Sequence, residues 1–481
     1  MATYYVDKTA GSDLNSGLTA ALAFATIAKW ITVAADGDVV NLNGGTVASG
    51  RLTYYEPLEI LSGVTGPLTI RGYGTYRPII SGLTAVATWT LDSGNIWGAS
   101  RATDPFSVVF FDLNGNPTKG VEVGSKVAIT AQYNWFWDDP TNTLFVYATS
   151  DPDTPTTYSA IMFTDRSRGI YLGDIDDVTI ENVAVWGAAG SGIDFLRCDR
   201  YIVRDFETAY NSEDGIGDND STSSLMEYGS IHHNGQGKGV IASPGDGVSC
   251  HGVTGVSSST GTIRKCLIYS NSKAGVDNVG EAIHTIDSCL IYDNYLNILA
   301  YGSLLSSVQT FTNCIIVVSA TDLAGMSMIS TAVLYNNTFY GQSADKTGLD
   351  INGTTPAFTL TMKNNIFSGF LVGVTKAGVG CTVTENDNCF GVNGTDSAGA
   401  TAIVLDGSDV TTDPLMVDPA NGNYGLLTTS PCKATGADLS GAGVARDYSG
   451  RSWRVPFDMG ALAFGSFAAR HNGRLLQMMG E

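Results

Sequence analysis

The chain has 481 residues, of which 43% are hydrophobic and 15% are charged, and this composition excludes an intrinsically disordered protein. Its formal net charge of −21 argues against nucleic acid or an anionic membrane surface as a partner, because either requires a basic protein surface. No apolar run approaches the ~18–20 residues of a membrane span, and Met1–Asp7 lacks the charged and apolar regions of a signal peptide.

Residues 1–45 are predicted to form an N-terminal cap and a first strand. Tyr4–Asp7 reads as a short strand, and Gly11–Gly17 is a turn-rich loop. Apolar residues then recur at helical spacing, which predicts a helix over Phe24–Ala35. We expect this helix to cover the open end of a solenoid core, and Asp36 to lead into the next strand.

Residues 46–84 continue as early coils, after which the rhythm changes and residues 85–165 are predicted to be an inserted antiparallel β subdomain. Val108–Phe111 reads as a strand, and Trp135–Tyr147 reads as a hairpin around an Asp-Pro-Thr-Asn turn. Strand alternation places Trp135 and Trp137 on one face. These indoles are candidates for stacking on sugar rings, and the alternative is that they form the core of the subdomain.

A loose repeat organises residues 166–400, which are predicted to form the central coils. Glycine followed by a β-branched residue recurs with steps of 23, 23, 32 and 28 residues, at Gly169, Gly192, Gly215, Gly247 and Gly275. Two further short apolar runs follow most of these glycines. Such a period indicates a solenoid or propeller, and three short strands per turn without helices favour the parallel β-helix.

Cysteine and asparagine positions support the same stacking. Cys266, Cys289 and Cys314 precede the third apolar run of their coils and are expected to form a ladder of buried thiols. Asn337 and Asn365 are expected to form a similar ladder. No CxxC pair occurs in the sequence, so no cysteine zinc motif is indicated.

Residues 401–463 are predicted to be a C-terminal cap, and residues 464–481 a tail whose role the sequence leaves open. The cap contains Asp413-Pro-Leu-Met-Val-Asp, Ser430-Pro-Cys-Lys-Ala-Thr-Gly, Asp447-Tyr-Ser-Gly-Arg and Asp458-Met-Gly-Ala in this order. The order resembles the end of right-handed parallel β-helix repeat proteins of the pectate-lyase-like superfamily, as Tyr5-Val-Asp and Gly11–Gly17 resemble their beginning. The resemblance implies an all-β, right-handed parallel β-helix solenoid with an N-terminal capping helix. It implies chemistry weakly, because the family includes lyases, epimerases, glycoside hydrolases and phage tailspikes.

The candidate catalytic residues follow from aligning the repeat glycines. Asp214 and Asp246 each precede the glycine on successive coils, so outward-pointing carboxylates would lie about 5 Å apart, near the ~5–5.5 Å of a retaining glycosidase pair. His251, four residues after Gly247, and Asp277, two residues after Gly275, complete the predicted catalytic set. The alternative is that aspartates before glycine only satisfy turn amides.

The predicted substrate-binding residues surround this pair, on the coils with the longest loops or on the insert: Asp194, Asp218, Lys238, Glu281, His284, Trp135 and Trp137. A Ca²⁺ site from Asp214, Asp218 and Asp246 is an alternative with suitable oxygen ligands but no recognised spacing, and no other cofactor is predicted. For a lyase, the basic candidates near the cluster are Lys238, Arg264, Lys265 and Lys273.

These observations predict a protein that binds or degrades a polysaccharide, most closely resembling a phage tailspike or receptor-binding depolymerase of the virion. The net charge favours a neutral glycan, or an acidic one bridged by Ca²⁺. One alternative is a non-catalytic virion structural or decoration protein, and another is a bacterial polysaccharide lyase or glycoside hydrolase. The resemblance suggests a homotrimer or contacts with other virion proteins, and a virion or extracellular location.

Overall fold

The computed structural model of the chain describes all residues except 61–62, 87, 155, 166–167, 236–244, 253–257, 303–307, 354–356, 467–469, 472–473 and 476–481. Three long parallel sheets dominate the described part. Each central coil contributes one strand to each sheet, as Ile193–Leu196, Ile202–Arg204 and Glu207–Ala209 do in turn. The described chain is therefore an all-β, parallel β-helix, as the repeat predicts.

The strands pair in parallel with the equivalent strands of neighbouring coils. Within the described ranges, sheet 1 contains, in order, Thr3–Val6, Val39–Asn43, Leu68–Tyr73, Val178–Glu181, Ile202–Arg204, Ser224–Glu227, Ser259–Arg264, Ala282–Asp287, Gln309–Thr312, Ala332–Tyr335, Phe358–Lys363 and Cys381–Asn386. Sheet 2 contains Thr53–Tyr54, Ile79–Ser81, Ala184–Trp186, Glu207–Ala209, Ser230–His232, Leu267–Tyr269, Leu290–Tyr292, Ile315–Val318, Thr338–Gly341, Ile366–Ser368 and Cys389–Gly391. Sheet 3 contains Leu58–Ile60, Ile170–Gly173, Ile193–Leu196, Ile216–Asn219, Val248–Gly252, Ala274–Gly280, Leu296–Gly302, Ala324–Met328, Thr347–Ile351, Val372–Lys376 and Thr395–Ala398.

Alternation along each strand separates the core from the outer faces. In Val178–Glu181, Val178 and Ile180 are fully buried in the interior, whereas Thr179 and Glu181 are partly exposed. Burial of one such aliphatic side chain contributes on the order of 1.5–3 kcal/mol. Because this pattern repeats coil after coil, the interior forms one continuous apolar column.

The N-terminal helix is shorter than predicted and spans Ile27–Ile31. Phe24 instead forms a β-bridge with Val6, and the Thr26 hydroxyl accepts a hydrogen bond from the Lys29 amide, which fixes the start of the helix. Ile27 and Trp30 are fully buried against the end of the core. The remaining short helical segments are single 3₁₀ turns at Ala20–Leu22, Lys126–Ala128, Asp139–Thr141, Pro419–Asn421 and Ser440–Ala442.

Two smaller sheets occupy the region between the early and central coils. One contains Thr90–Ser93, Ile96–Ser100, Thr143–Tyr147, Asn134–Asp138 and Val121–Glu122, and the other contains Pro117–Lys119, Val108–Phe111, Ala160–Thr164 and Leu83–Ala85. Most of their pairs are antiparallel, but Val121–Glu122 pairs in parallel with Asn134–Asp138. Trp135 is buried in the core of this region together with Val108 and Phe110.

The C-terminal segment, residues 410–464, lies mainly along the outer face of sheet 2 rather than over the end of the β-helix. Its Met459 and Leu462 pack in one cluster with Leu290 and Ile315 of that sheet. The hairpin of Met416–Asp418 and Asn423–Leu426 contributes to the same cluster. The end of the core is instead contacted by Ile403 and Leu405. Short pairs also form between Gly45–Thr46 and Gly50–Arg51 and between Arg470–His471 and Arg474–Leu475.

Two ladders of buried asparagines tie the turns of successive coils together. In the first, the Asn211 amide Nδ2 donates to Asn234 Oδ1, Asn234 Nδ2 to Asn271 Oδ1 and Asn271 Nδ2 to Asn294 Oδ1, each over 2.9 Å. In the second, Asn337, Asn365 and Asn388 repeat the pattern. Cys266, Cys289 and Cys314 are buried free thiols, as predicted. The Cys314 backbone amide donates to Asn337 Oδ1 at the start of the second ladder.

We predict that Asn234→Ala destabilises the protein by about 2–3 kcal/mol, because it removes side-chain hydrogen bonds to buried partners on both neighbouring coils. Asn234 Nδ2 donates to the Thr208 carbonyl as well as to Asn271, and Asn234 Oδ1 accepts from Asn211. Urea denaturation followed by circular dichroism measures the change. The control is Asn114→Ala at an exposed position of the insert, and equal midpoints for the two variants would contradict the prediction.

Candidate functional site on the outer face of sheet 3

The predicted catalytic residues cluster at the outer face of sheet 3 and at the turns that lead into it. Parallel pairing aligns Asp194, Gly217, Ser249 and Asp277 on four successive strands. These side chains point away from the apolar core because Ile193, Ile216, Val248 and Val276 precede them and are fully buried. The spacing of neighbouring strands is ~4.8 Å, so the column brings polar groups from different coils together.

Asp214 and Asp246 form a carboxylate ladder at the turn before the strands. Asp214 Oδ1 accepts the Asp246 amide over 2.8 Å, and Asp246 Oδ1 accepts the Ala274 amide over 2.7 Å. One oxygen of each carboxylate therefore satisfies a turn amide of the following coil. Asp214 and Asp246 thus lie on neighbouring turns, and one oxygen of each carboxylate is hydrogen-bonded to the backbone.

Lys273 bridges two carboxylates. Its Nζ lies 3.0 Å from Asp246 Oδ2 and 3.0 Å from Asp277 Oδ2, so these two oxygens are within about 6 Å of each other. The side chains of Asp246 and Asp277 are 1% and 2% exposed, whereas that of Lys273 is 43% exposed. The ammonium group thus lies between the carboxylates and solvent.

Burial and mutual repulsion change the acidity of this cluster. Burial raises the pKa of Asp246 to about 6, and the negative charge of Asp277 adds to the effect, while Lys273 opposes it. The pKa of Asp214 is raised well above its ordinary value by burial and by the charge of Asp246. A carboxyl group that holds its proton near neutral pH is suited to act as a general acid.

Other groups line the same face. His251 is exposed, its Nε2 lies 3.0 Å from Ser249 Oγ, and partial burial of the ring lowers its pKa. Asp194 lies 3.8 Å from Arg168 Nε, and burial raises the pKa of Asp194. Glu281 is buried at the end of the neighbouring strand Ala274–Gly280.

The sequence analysis did not single out Arg168. This residue precedes Gly169, so it occupies the position that Asp214 and Asp246 occupy in later coils. Its guanidinium lies 3.7 Å from the centroid of the Tyr171 ring. The same alignment of repeat glycines that identified the aspartates would have identified this cation.

Several predicted substrate-binding residues lie elsewhere. Asp218 and His284 are fully buried inside the β-helix, so they do not line its outer face, and Asp218 does not share a face with Asp214 and Asp246 as the Ca²⁺ alternative requires. Trp135 is buried in the core of the insert, and Trp137 packs against that core with its Nε1 donating to the Arg101 carbonyl. Neither indole is brought to sheet 3. Lys238 lies outside the described residues.

Comparisons with known proteins agree with the fold. The family model of the right-handed β-helix region matches residues 168–320. A complex of XylC with xylose shares 12% identity with this chain at a TM-score of 0.60, covering 96% of this chain and 98% of XylC. Pectate lyase Pel9A shares 12% identity at a TM-score of 0.51, covering 97% of each chain. No curated protein sequence matches significantly.

At this level of identity, these likenesses concern the fold alone. In the described part of the chain, no helix has the length and hydrophobicity needed to cross a membrane. The match of the central coils to the family model agrees with the three stacked parallel sheets. The described chain therefore has the fold of a right-handed parallel β-helix.

Proposed function

We propose that the outer face of sheet 3 binds a polysaccharide and hydrolyses its glycosidic bonds. The observation that carries the proposal is the pair of carboxylates, Asp246 and Asp277, held on either side of Lys273. Glycoside hydrolysis needs two carboxyl groups in different protonation states, one as acid and one as carboxylate. The raised pKa of Asp246 supports its assignment as the acid.

The spacing supports retention of configuration. The Oδ2 atoms of Asp246 and Asp277 lie within about 6 Å, below the ~6.5–9.5 Å of inverting enzymes. Asp246 then protonates the leaving oxygen while Asp277 attacks the anomeric carbon, and water hydrolyses the glycosyl–enzyme bond with Asp246 as base. Lys273 has a flexible, partly exposed side chain. When substrate displaces it, the carboxyl groups of Asp246 and Asp277 become accessible to the substrate.

A neutral glycan is the substrate class that fits this face. Carboxyl groups outnumber cations there, since Glu213 joins the aspartates beside Arg168 and Lys273. An acidic chain would be repelled, whereas the hydroxyls of a neutral sugar can hydrogen-bond to exposed carboxylate, guanidinium and imidazole groups. The xylose in the XylC complex supports a sugar ligand for this fold.

Asp246→Asn and Asp277→Asn are each expected to lower kcat by roughly 10²–10⁴-fold, because each removes one of the two carboxyl functions. The measurement is the release of reducing ends from a panel of neutral, capsular, lipopolysaccharide and uronate glycans. Asp350→Asn is the matched control, since Asp350 lies in the same outer column three strands from Asp277. Absence of chain shortening on every glycan would overturn the proposal.

The pH dependence should follow Asp246. Because the acid must carry its proton, kcat is expected to fall as the pH rises through about 6. Lys273→Gln removes a positive charge that lowers the pKa of Asp246, so the fall should move to higher pH. Profiles of kcat against pH for the two proteins measure this shift. A fall that stays in place or moves to lower pH would rule out Asp246 as the acid.

A second candidate is β-elimination on a uronate glycan, and His251 is the observation that favours it. Its lowered pKa keeps the ring neutral at neutral pH, ready to take the proton α to a carboxylate, while Arg168 or Lys273 binds that carboxylate. The proton passes to His251 and a carbon–carbon double bond forms as the bond to the glycosidic oxygen breaks. Protonated His251 then returns the proton to the leaving oxygen. Double-bond absorbance in the products distinguishes this reaction from hydrolysis.

We further propose that the protein is a tailspike-like depolymerase or receptor-binding protein of a phage virion, with a surface glycan as its partner. Its support is the resemblance of the N-terminal and C-terminal motifs to β-helix proteins that include tailspikes. We expect a homotrimer in solution, measured by light scattering coupled to size-exclusion chromatography. A monomer that binds no surface glycan would favour a secreted enzyme over a virion protein.

A further inference from the structure

Alongside the apolar core, a group of polar side chains occupies the interior of the β-helix. Asp218, Cys250 and His284 come from three successive coils and are fully or almost fully buried. One ligand atom from each, a carboxylate oxygen, a thiol sulfur and an imidazole nitrogen, lies within 4.8 Å of the others. We call these three residues the interior triad.

The backbone is shaped to let the triad meet. His284 and Ser224 lie two strands apart in sheet 1, with Gly261 between them. A Cβ on Gly261 would lie 1.9 Å from Ser224 Oγ, so a side chain there would close the space through which His284 reaches Asp218. His284 Nε2 is 3.4 Å from Asp218 Oδ2 and 3.5 Å from Ser224 Oγ.

Hydrogen bonds satisfy only part of this group. Asp218 Oδ2 accepts from the Tyr201 hydroxyl over 2.8 Å and from Ser224 over 3.4 Å. Among the described residues, Asp218 Oδ1 and His284 Nδ1 are buried without a hydrogen-bond partner. An unsatisfied buried polar atom costs about 1–3 kcal/mol, so both side chains keep binding capacity that the described residues do not use.

From these observations we infer that the interior triad binds a zinc ion inside the β-helix. Thiolate, imidazole and carboxylate together are the donor set that zinc accepts. Two ligand atoms of a zinc tetrahedron with bonds of ~2.0–2.3 Å lie about 3.3–3.7 Å apart. The distance of 3.4 Å between Asp218 Oδ2 and His284 Nε2 falls in this range. Ser224 Oγ, at 3.4 Å from Asp218 Oδ2, is placed to supply the fourth ligand.

Charge balance supports the same ion. Zinc displaces the thiol proton of Cys250, and one thiolate and one carboxylate then neutralise its two positive charges. A neutral metal complex is compatible with an apolar interior, where a net charge is costly.

The site lies directly behind the proposed catalytic face. Cys250 points inward from Val248–Gly252, the strand whose Ser249 and His251 point outward, and the next strand carries Asp277. A zinc ion would therefore tie together the strands that position the outer groups. This role is structural, because the triad contacts no outer-face ligand.

The test is the metal content of the full chain, produced with zinc in the medium and dialysed against a chelator. We expect close to one zinc per chain by elemental analysis. After refolding with Co²⁺ instead, we expect a thiolate-to-cobalt charge-transfer band. Less than a tenth of an equivalent of zinc together with no cobalt–thiolate band would overturn the inference.

Two variants locate the metal. Cys250→Ala should lose at least tenfold in zinc occupancy and lose the cobalt band, while Cys266→Ala, another fully buried free thiol, should keep both. Equal metal content in the two variants would overturn the inference. Metal content tests the zinc site, and release of reducing ends tests the proposed hydrolase. Because the two measurements are independent, either proposal can fail without the other.

Discussion

Parallel hydrogen bonding between equivalent strands of successive coils is the constraint on which the structure depends. It fixes a spacing of ~4.8 Å between neighbouring coils, and it passes the inward or outward direction of each position from one coil to the next. The asparagine ladders obey the same spacing, because each side-chain amide reaches the coil after it. Ser249 and His251 point to the proposed catalytic face, and Cys250 between them points to the interior triad. The two sites therefore differ by one residue along the same strand.

The repeat glycines predicted the fold because glycine, a β-branched residue and short apolar runs recur at steps of 23 to 32 residues. The number of residues between a repeat glycine and a side chain also predicts whether that side chain points inward or outward. Asp194 and Asp277 stand two residues after their glycines and point outward, whereas Asp218 and Cys250 stand three residues after theirs and point inward. Counting from the glycine would therefore have assigned Asp218 to the interior.

Other features depend on contacts that no local pattern contains. The apolar spacing of Phe24–Ala35 suggested a longer helix, but the Thr26 cap and the bridge of Phe24 with Val6 leave five helical residues. The path of the C-terminal segment is set by apolar side chains on the outer face of sheet 2, which lie up to 195 residues earlier in the chain, as Leu267 does from Leu462. The sequence indicates only that Lys273 is a basic residue near the cluster. Its position between Asp246 and Asp277 depends on contacts between neighbouring coils.

The position of the C-terminal segment has a consequence for folding during synthesis. Leu267, Leu290 and Ile315 on the outer face of sheet 2 are covered by residues that leave the ribosome more than a hundred positions later. The coils can stack as they emerge, because each contacts only its neighbours. Their apolar strip nevertheless stays open to water until Met459 and Leu462 have been synthesised, so the nascent chain is prone to aggregate up to that point.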